Sequence, residues 1–176
     1  MKYIEKAYIY DDEIDFIRSF MDDTGSILEV GAYVGKTFHN LHKHRPDWNY
    51  VAVDPWETRA FGMDDPDKPF DHTNEYPQCH SKYFSENCPY ATYFVNDYEN
   101  ILFTKNTFDV IVLSAASSLI NFSNHYLKAL NEIKEDGVII GRYINHRTYG
   151  ESVRKSISIL NPENYMEYNK SMFAIW

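Results

Sequence analysis

Ile27-Leu28-Glu29-Val30-Gly31-Ala32-Tyr33-Val34-Gly35-Lys36-Thr37 is the stretch whose reading decides the fold. An apolar run of strand length meets a turn framed by Gly31 and Gly35, and a helix with Phe38 and Leu41 on one face follows. Pro46-Asp47 breaks that helix, and Tyr50-Val51-Ala52-Val53 forms a second apolar strand that stops at Asp54-Pro55. Strand, glycine turn, helix and strand make one βαβ unit.

The same alternation extends in both directions. Upstream, Ile14, Ile17, Phe20 and Met21 recur at helical spacing, so residues 11–23 read as a helix capped by Asp11 or Asp12 and ended by Gly25. Downstream, residues 91–95 and 108–113 read as strands, the second nearly continuous in apolar residues, as expected where both faces of a parallel sheet are covered. Phe122, Tyr126, Leu130 and Ile133 mark a helix that Gly137 should end before a strand over 138–141. A helix over 152–160 then precedes two strands joined by a tight turn at Asn169-Lys170.

This order predicts an α/β fold, a Rossmann-like, doubly wound and mostly parallel sheet that closes with a C-terminal antiparallel hairpin and a reversed edge strand. Residues 1–176 read as one domain. Within it, residues 57–86 hold Gly62, Pro66, Pro69 and Pro77 among many charges, which reads as an irregular insertion covering the site, with a helix between His72 and Glu86.

Composition narrows the partners. Acidic residues outnumber basic ones by 26 to 17, for a formal charge of -9, so a polyanion such as nucleic acid is not an expected partner. No segment approaches the length of a membrane span, which suggests a cytoplasmic chain with no membrane partner. Cys79 and Cys88 are too few for a disulfide framework and lack metal-site spacing. A homo-oligomer is compatible with all of this.

In a doubly wound sheet the ligand lies beyond the carboxyl ends of the strands at the topological switch point, here the turn after the first strand. Gly31 lets the backbone turn sharply, and Gly35 opens the helix where its N–H groups face a ligand. A dinucleotide site needs G-x-G-x-x-G, and Tyr33 stands where the middle glycine would be, so a pyrophosphate is disfavoured. Asp54 ends the second strand, where a carboxylate can accept hydrogen bonds from both hydroxyls of a ribose. The implied ligand is a nucleoside.

Residues 27–37, followed by Val51-Ala52-Val53-Asp54-Pro55-Trp56, resemble the first two motifs of class I S-adenosylmethionine-dependent methyltransferases. The most similar branch has a glycine turn reading E-x-G-x-x-x-G and a second strand ending in D-P-W. The resemblance continues more loosely through Asn96-Asp97, residues 108–113 and residues 136–140 to the terminal hairpin. It implies S-adenosylmethionine as cofactor, with Glu29, Gly31, Tyr33 and Gly35 at its methionine part and Asp54 at its ribose. It further implies Asp97 and Tyr98 at adenine and Ser114 beside the transferred methyl. Trp56 would either stack on the adenosine or belong to the core.

Metal-dependent members of that branch carry carboxylates and a histidine after the fourth and fifth strands. This chain has residues 113–118, Leu-Ser-Ala-Ala-Ser-Ser, and residues 141–144, Gly-Arg-Tyr-Ile, at those places, so no metal is expected. Methyl transfer needs an acceptor lone pair held in line with an electrophilic methyl, and positioning supplies much of the rate without a dedicated base. Candidates for a small-molecule acceptor pocket are Ser114, Arg142, Tyr143, His146 and Arg147, with His72 and His80 from the insertion. The basic cluster at 142–147 would suit an anionic acceptor. The leading reading is metal-independent methyl transfer to an oxygen or nitrogen of a small molecule. The alternatives are a cofactor-binding partner protein without transfer activity and an enzyme that cleaves the same cofactor.

Overall fold

The computed structural model describes residues 4, 9–56, 81–114, 119–142, 144, 150–168 and 171–176. In chain order the elements are α1 (Asp11–Arg18), β1 (Ser26–Val30), α2 (Lys36–His42), β2 (Asn49–Asp54), α3 (Ser81–Asn87) and β3 (Thr92–Val95). A 3-10 turn (Tyr98–Asn100) leads to β4 (Phe108–Leu113), α4 (Leu119–Glu132), β5 (Ile133–Arg142), α5 (Gly150–Leu160), β6 (Tyr165–Tyr168) and β7 (Met172–Ile175).

Seven strands form one sheet in the order β3-β2-β1-β4-β5-β7-β6. β1 through β5 pair in parallel, and β7 runs antiparallel to both β5 and β6. The sheet is therefore doubly wound, mostly parallel and closed by an antiparallel hairpin. The reversed strand is not at the edge, however. Met172–Ile175 is buried along its whole length and belongs between two neighbours, whereas Tyr165–Tyr168 is largely exposed and takes the edge.

Alternation along the strands divides the core in two. Ile27, Ala52, Val112, Ile140 and Ala174 face the side that carries Ile14, Ile17, Phe38, Leu41 and Phe84 from α1, α2 and α3. Leu28, Val53, Ile111, Ile139 and Phe173 face the side covered by Phe122 and Tyr126 of α4 and Val153 and Ile157 of α5. A parallel sheet covered on both sides needs this continuous apolar run, and the removal of so much apolar surface from water is the fold's main driving force.

Three boundaries differ from the sequence reading. The cap of α1 is Tyr10, whose backbone N–H donates to Glu13 Oε2 at 2.9 Å, while Asp11 and Asp12 lie inside the first turn. α1 stops at Arg18 and not at residue 23, because Ser19 Oγ donates back to the Phe16 carbonyl at 2.7 Å. Phe20 and Met21 still reach the core through tighter bonds, Phe20 N to Ile17 O and Met21 N to Arg18 O. Gly137 does not end α4: the helix passes directly into β5 at Ile133, which pairs with Phe108. Gly137 lies within β5, where an added Cβ would stand 2.9 Å from the backbone oxygen of Asp109.

Gly141 of β5 pairs with Phe173 of β7, and a Cβ there would fall 2.1 Å from the Phe173 ring. The ring lies over bare backbone and meets Phe122 edge-on at 5.7 Å. Gly141→Ala should destabilise the chain by about 2 kcal/mol or more through overpacking, and the double change with Phe173→Leu should recover part of the loss. Denaturant unfolding of both variants checks this; a silent G141A would show that the ring does not rest on the glycine.

Candidate functional site

The sheet order reverses between β1 and β4, so the loops after these strands open outward from a common point. After Val30 the backbone turns through Gly31 at φ 86°, Tyr33 at φ 50° and Gly35 at φ 81°. Two of these left-handed positions are glycines, for which the conformation carries no Cβ penalty. Gly35 serves packing as well: a Cβ would meet Cys88 Sγ at 2.6 Å and the Phe84 ring at 3.1 Å. Asn87 Nδ2 donates to the Val34 carbonyl at 2.8 Å and Cys88 Sγ donates to the Gly35 carbonyl at 3.3 Å, so the end of α3 buttresses the turn.

Asp54 joins this turn to the loop after β2. Its Oδ2 accepts the Tyr33 N–H and its Oδ1 accepts the Trp56 N–H, both at 2.9 Å. The carboxylate is thus engaged by the protein's own backbone, an arrangement the sequence reading did not anticipate. Trp56 is a core residue, 1% exposed, with its ring 5.2 Å from Phe84 and its Nε1 donating to the Tyr33 carbonyl at 2.6 Å. Packing holds the indole in place, and this is not the geometry of a ring stacked on a nucleoside.

Glu29 lies just before the turn and is buried. Thr37 Oγ1 donates to its Oε1 at 2.7 Å and Ser114 Oγ donates to the same oxygen at 3.2 Å. Oε2 receives no hydrogen bond from any described residue. Desolvation raises the Glu29 pKa from 4.5 to about 7, against the opposing pull of Thr37, Arg142 and Ser114. A buried carboxylate oxygen without a donor is costly, and a ligand with an N–H or ammonium group would satisfy it.

The remaining predicted residues divide. Ser114 follows β4, bonds its N–H to the Val30 carbonyl at 2.8 Å and sits with Glu29 at the switch point. Asp97 precedes the 3-10 turn beyond β3, half-buried, with its N–H on Asn96 Oδ1 at 2.8 Å. Tyr98 is turned inward: its hydroxyl donates to Glu132 Oε2 at 2.5 Å under α4, and Lys128 Nζ stands 4.8 Å from its ring centroid. Its phenol is therefore committed to the core. Arg142 ends β5 and pairs with Glu13 Oε2 of α1 at 3.3 Å, its side chain 11% exposed. That partner weakens the expectation that Arg142 draws an anionic acceptor. Tyr143, His146, Arg147, His72 and His80 lie outside the described residues, as do residues 57–80 of the insertion and residues 115–118.

Thr37, Glu13 and Ser171 were missed by the sequence reading. Thr37 stands in the quoted turn, where no role was assigned to it. Glu13 was given no role in the sequence, and only tertiary packing shows that it accepts hydrogen bonds from Tyr10 and Ser171 and pairs with Arg142. Among the described residues no group of three or more His, Cys, Asp or Glu is placed to hold a metal ion. None of the described helices is long and apolar enough to cross a membrane. An open cavity of about 240 Å³ among the described residues lies at the opposite, amino end of the strands between Trp48, Asp109 and Trp176. It has no part in the switch-point site.

Residues 3–171 match the model of a family described as a methyltransferase domain. No curated protein matches the sequence. Among solved structures, a protein from Pyrococcus horikoshii OT3 aligns with a TM-score of 0.65 at 12% identity, over 97% of this chain and 91% of its own. A ribosomal protein L11 methylase from Lactobacillus delbrueckii subsp. bulgaricus aligns with a TM-score of 0.63 at 14% identity, over 94% and 77% of the two chains. The plantazolicin methyltransferase BpumL, in complex with a pentazolic desmethyl-plantazolicin analogue and SAH, aligns with a TM-score of 0.61 at 12% identity, over 93% and 69%. At these identities the likeness is one of fold.

Because its pKa is raised, Glu29 takes up a proton when the chain folds. Its contribution is fully present below about pH 4.5 and is lost as pH rises towards about 7. Relative to Glu29→Gln, the wild-type chain should lose up to about 3 kcal/mol over that window and change little above it. Thermal unfolding of both proteins from pH 4.5 to 8 measures the difference. A constant gap across the series would mean that Glu29 titrates as an ordinary carboxylate.

Proposed function

Since the chain belongs to the methyltransferase domain family, we propose that it binds S-adenosylmethionine at the switch point and transfers its methyl group to an oxygen or nitrogen of a small molecule, without a metal ion. The observation that carries this reading is the buried Glu29 Oε2, which receives no donor from the described residues beside a glycine turn. The α-ammonium of a methionine moiety supplies both a donor and a positive charge, the two things that oxygen lacks. The glycine turn gives the backbone close approach on one side, and the Asp54 carboxylate, which braces that turn through Tyr33 and Trp56, is the acceptor this reading assigns to the ribose hydroxyls.

S-adenosylmethionine, when bound, would supply an already electrophilic methyl carbon, which an acceptor lone pair would take as the carbon–sulfur bond breaks and its electrons return to sulfur, the acceptor's O–H or N–H proton then leaving to solvent. The protein's task is to hold both partners in line and keep water from the reacting centre, which needs no acid–base pair. Ser114, hydrogen-bonded to Glu29, stands at the end of β4, where the resemblance places the transferred methyl. The residues after β4 and β5 lack the carboxylates that a catalytic cation would require, which favours metal-independent transfer. The charge of -9 favours a small acceptor over a nucleic acid. We further propose that residues 1–176 act as a single domain.

Calorimetric titration with S-adenosylmethionine and S-adenosylhomocysteine should show binding of both, and binding of neither would defeat the assignment. Asp54→Ala and Glu29→Gln, checked for folding by circular dichroism, should each weaken binding at least tenfold, from the loss of a charge-assisted hydrogen bond worth about 1.5–3 kcal/mol. Methyl-label transfer to small molecules of a cell extract tests the reaction itself. Binding without transfer, or release of methylthioadenosine without an acceptor, would replace it with a binding protein or a cleaving enzyme respectively.

A further inference from the structure

We infer that Arg142 is a positioning residue for the ammonium end of the ligand: clamped by Glu13 of α1, its guanidinium is held on the sheet face that carries Glu29 and governs the charge on that carboxylate. The inference rests on the S-adenosylmethionine reading of Glu29.

Strand register puts these groups together. Glu29 pairs with Val112, and Val112 pairs with Ile140, so the three share one row and one face. Two residues beyond Val112 and Ile140 stand Ser114, just past the end of β4, and Arg142, which ends β5 on the same face as Ile140. Ser114 Oγ reaches back to Glu29 Oε1 at 3.2 Å, which closes the gap between the rows. On its outer side Arg142 Nη2 meets Glu13 Oε2 at 3.3 Å, and Glu13 also accepts the Tyr10 N–H and the Ser171 hydroxyl. One buried carboxylate therefore ties together the start of α1, the end of β5 and the loop of the terminal hairpin. An arginine fixed in this way acts less as a bait for anions than as a fixed charge.

The charge it acts on is Glu29. Arg142 pulls that carboxyl towards ionisation, against burial and the negative charge of Asp54. Among the described residues, the other titratable group facing Glu29 is the Cys88 thiol, whose pKa is pushed up to about 12 by burial and which is thus neutral. Thr37 and Ser114 contribute hydroxyls without charge. Arg142 is accordingly the one cation among the described groups that favours ionised Glu29, and an ammonium ligand pairs well only with that form. Because Glu13 sits on α1, the seating of that helix is coupled to the charge of the ligand site.

The test follows the Glu29 carboxyl carbon by NMR titration in the ligand-free full chain, assigned by its disappearance in E29Q. In Arg142→Gln the midpoint should rise by about one pH unit, and Arg142→Lys, which keeps the charge, should return it most of the way. If R142Q leaves Glu13 buried without its partner and fails to fold, the pair E13Q/R142M removes both charges and should show the same rise. The pH at which S-adenosylmethionine affinity is half-maximal should move up in step. A purely structural Arg142 would lower Tm and leave the midpoint in place; an unmoved midpoint in any folded variant lacking the arginine overturns the inference. If the midpoint moves while the wild-type chain binds no S-adenosylmethionine, the coupling stands and the ligand reading fails.

Discussion

A buried carboxylate in the central strand of a largely apolar sheet is the constraint around which the rest is arranged. β1 is the strand from which the sheet winds in both directions, and its neighbours on either side are apolar. Glu29 interrupts that run, and the penalty for an ionised carboxylate in such surroundings is large. The structure offsets it with two hydroxyls and a nearby guanidinium, and still leaves one oxygen without a donor among the described residues. Structural carboxylates elsewhere in the chain are treated differently. Asp109, at the amino end of β4, accepts from Ser26 and Lys134 and is held below the usual carboxylate range, which is the pattern of a group whose work is stability. Incomplete satisfaction at one end of the sheet and satisfaction at the other is the contrast on which the proposed binding role of Glu29 rests.

Much of this architecture was legible in the residues. The strand over 108–113 has the predicted bounds, and the βαβ unit around the glycine turn lies where the apolar runs and breakers put it. The hairpin was visible from alternation, but its order in the sheet was not, because strand order depends on which strand is more thoroughly apolar on both faces. Gly137 misled because a glycine after a helical pattern usually ends the helix, whereas here close approach of β5 to Asp109 requires it. The strand over 92–95 reads as apolar, yet Tyr93, Phe94 and Val95 are each more than a third exposed, since β3 is an outer strand of the sheet.

The site was legible in position and less so in role. Glu29, Ser114 and Asp54 all stand at strand ends around the switch point, as their places in the sequence implied. Side-chain commitments were hidden, because they depend on partners far away in the chain. Tyr98 is spoken for by Glu132, Trp56 by the Tyr33 carbonyl, and Arg142 by Glu13, separations of 34, 23 and 129 residues. No local pattern encodes such pairs, and each moves a polar group from the ligand's side of the ledger to the protein's.

The grip of Asp54 on the backbone of Tyr33 and Trp56 bears on how a guest is received. Two loops from different strands are already cross-braced, with one of them held in a left-handed conformation that a non-glycine residue rarely adopts. At Tyr33 and Trp56 conformational freedom was surrendered when the chain folded, so a ligand bound there as proposed would have little left to freeze at those two residues. Selectivity at such a braced corner would come from shape complementarity more than from induced rearrangement.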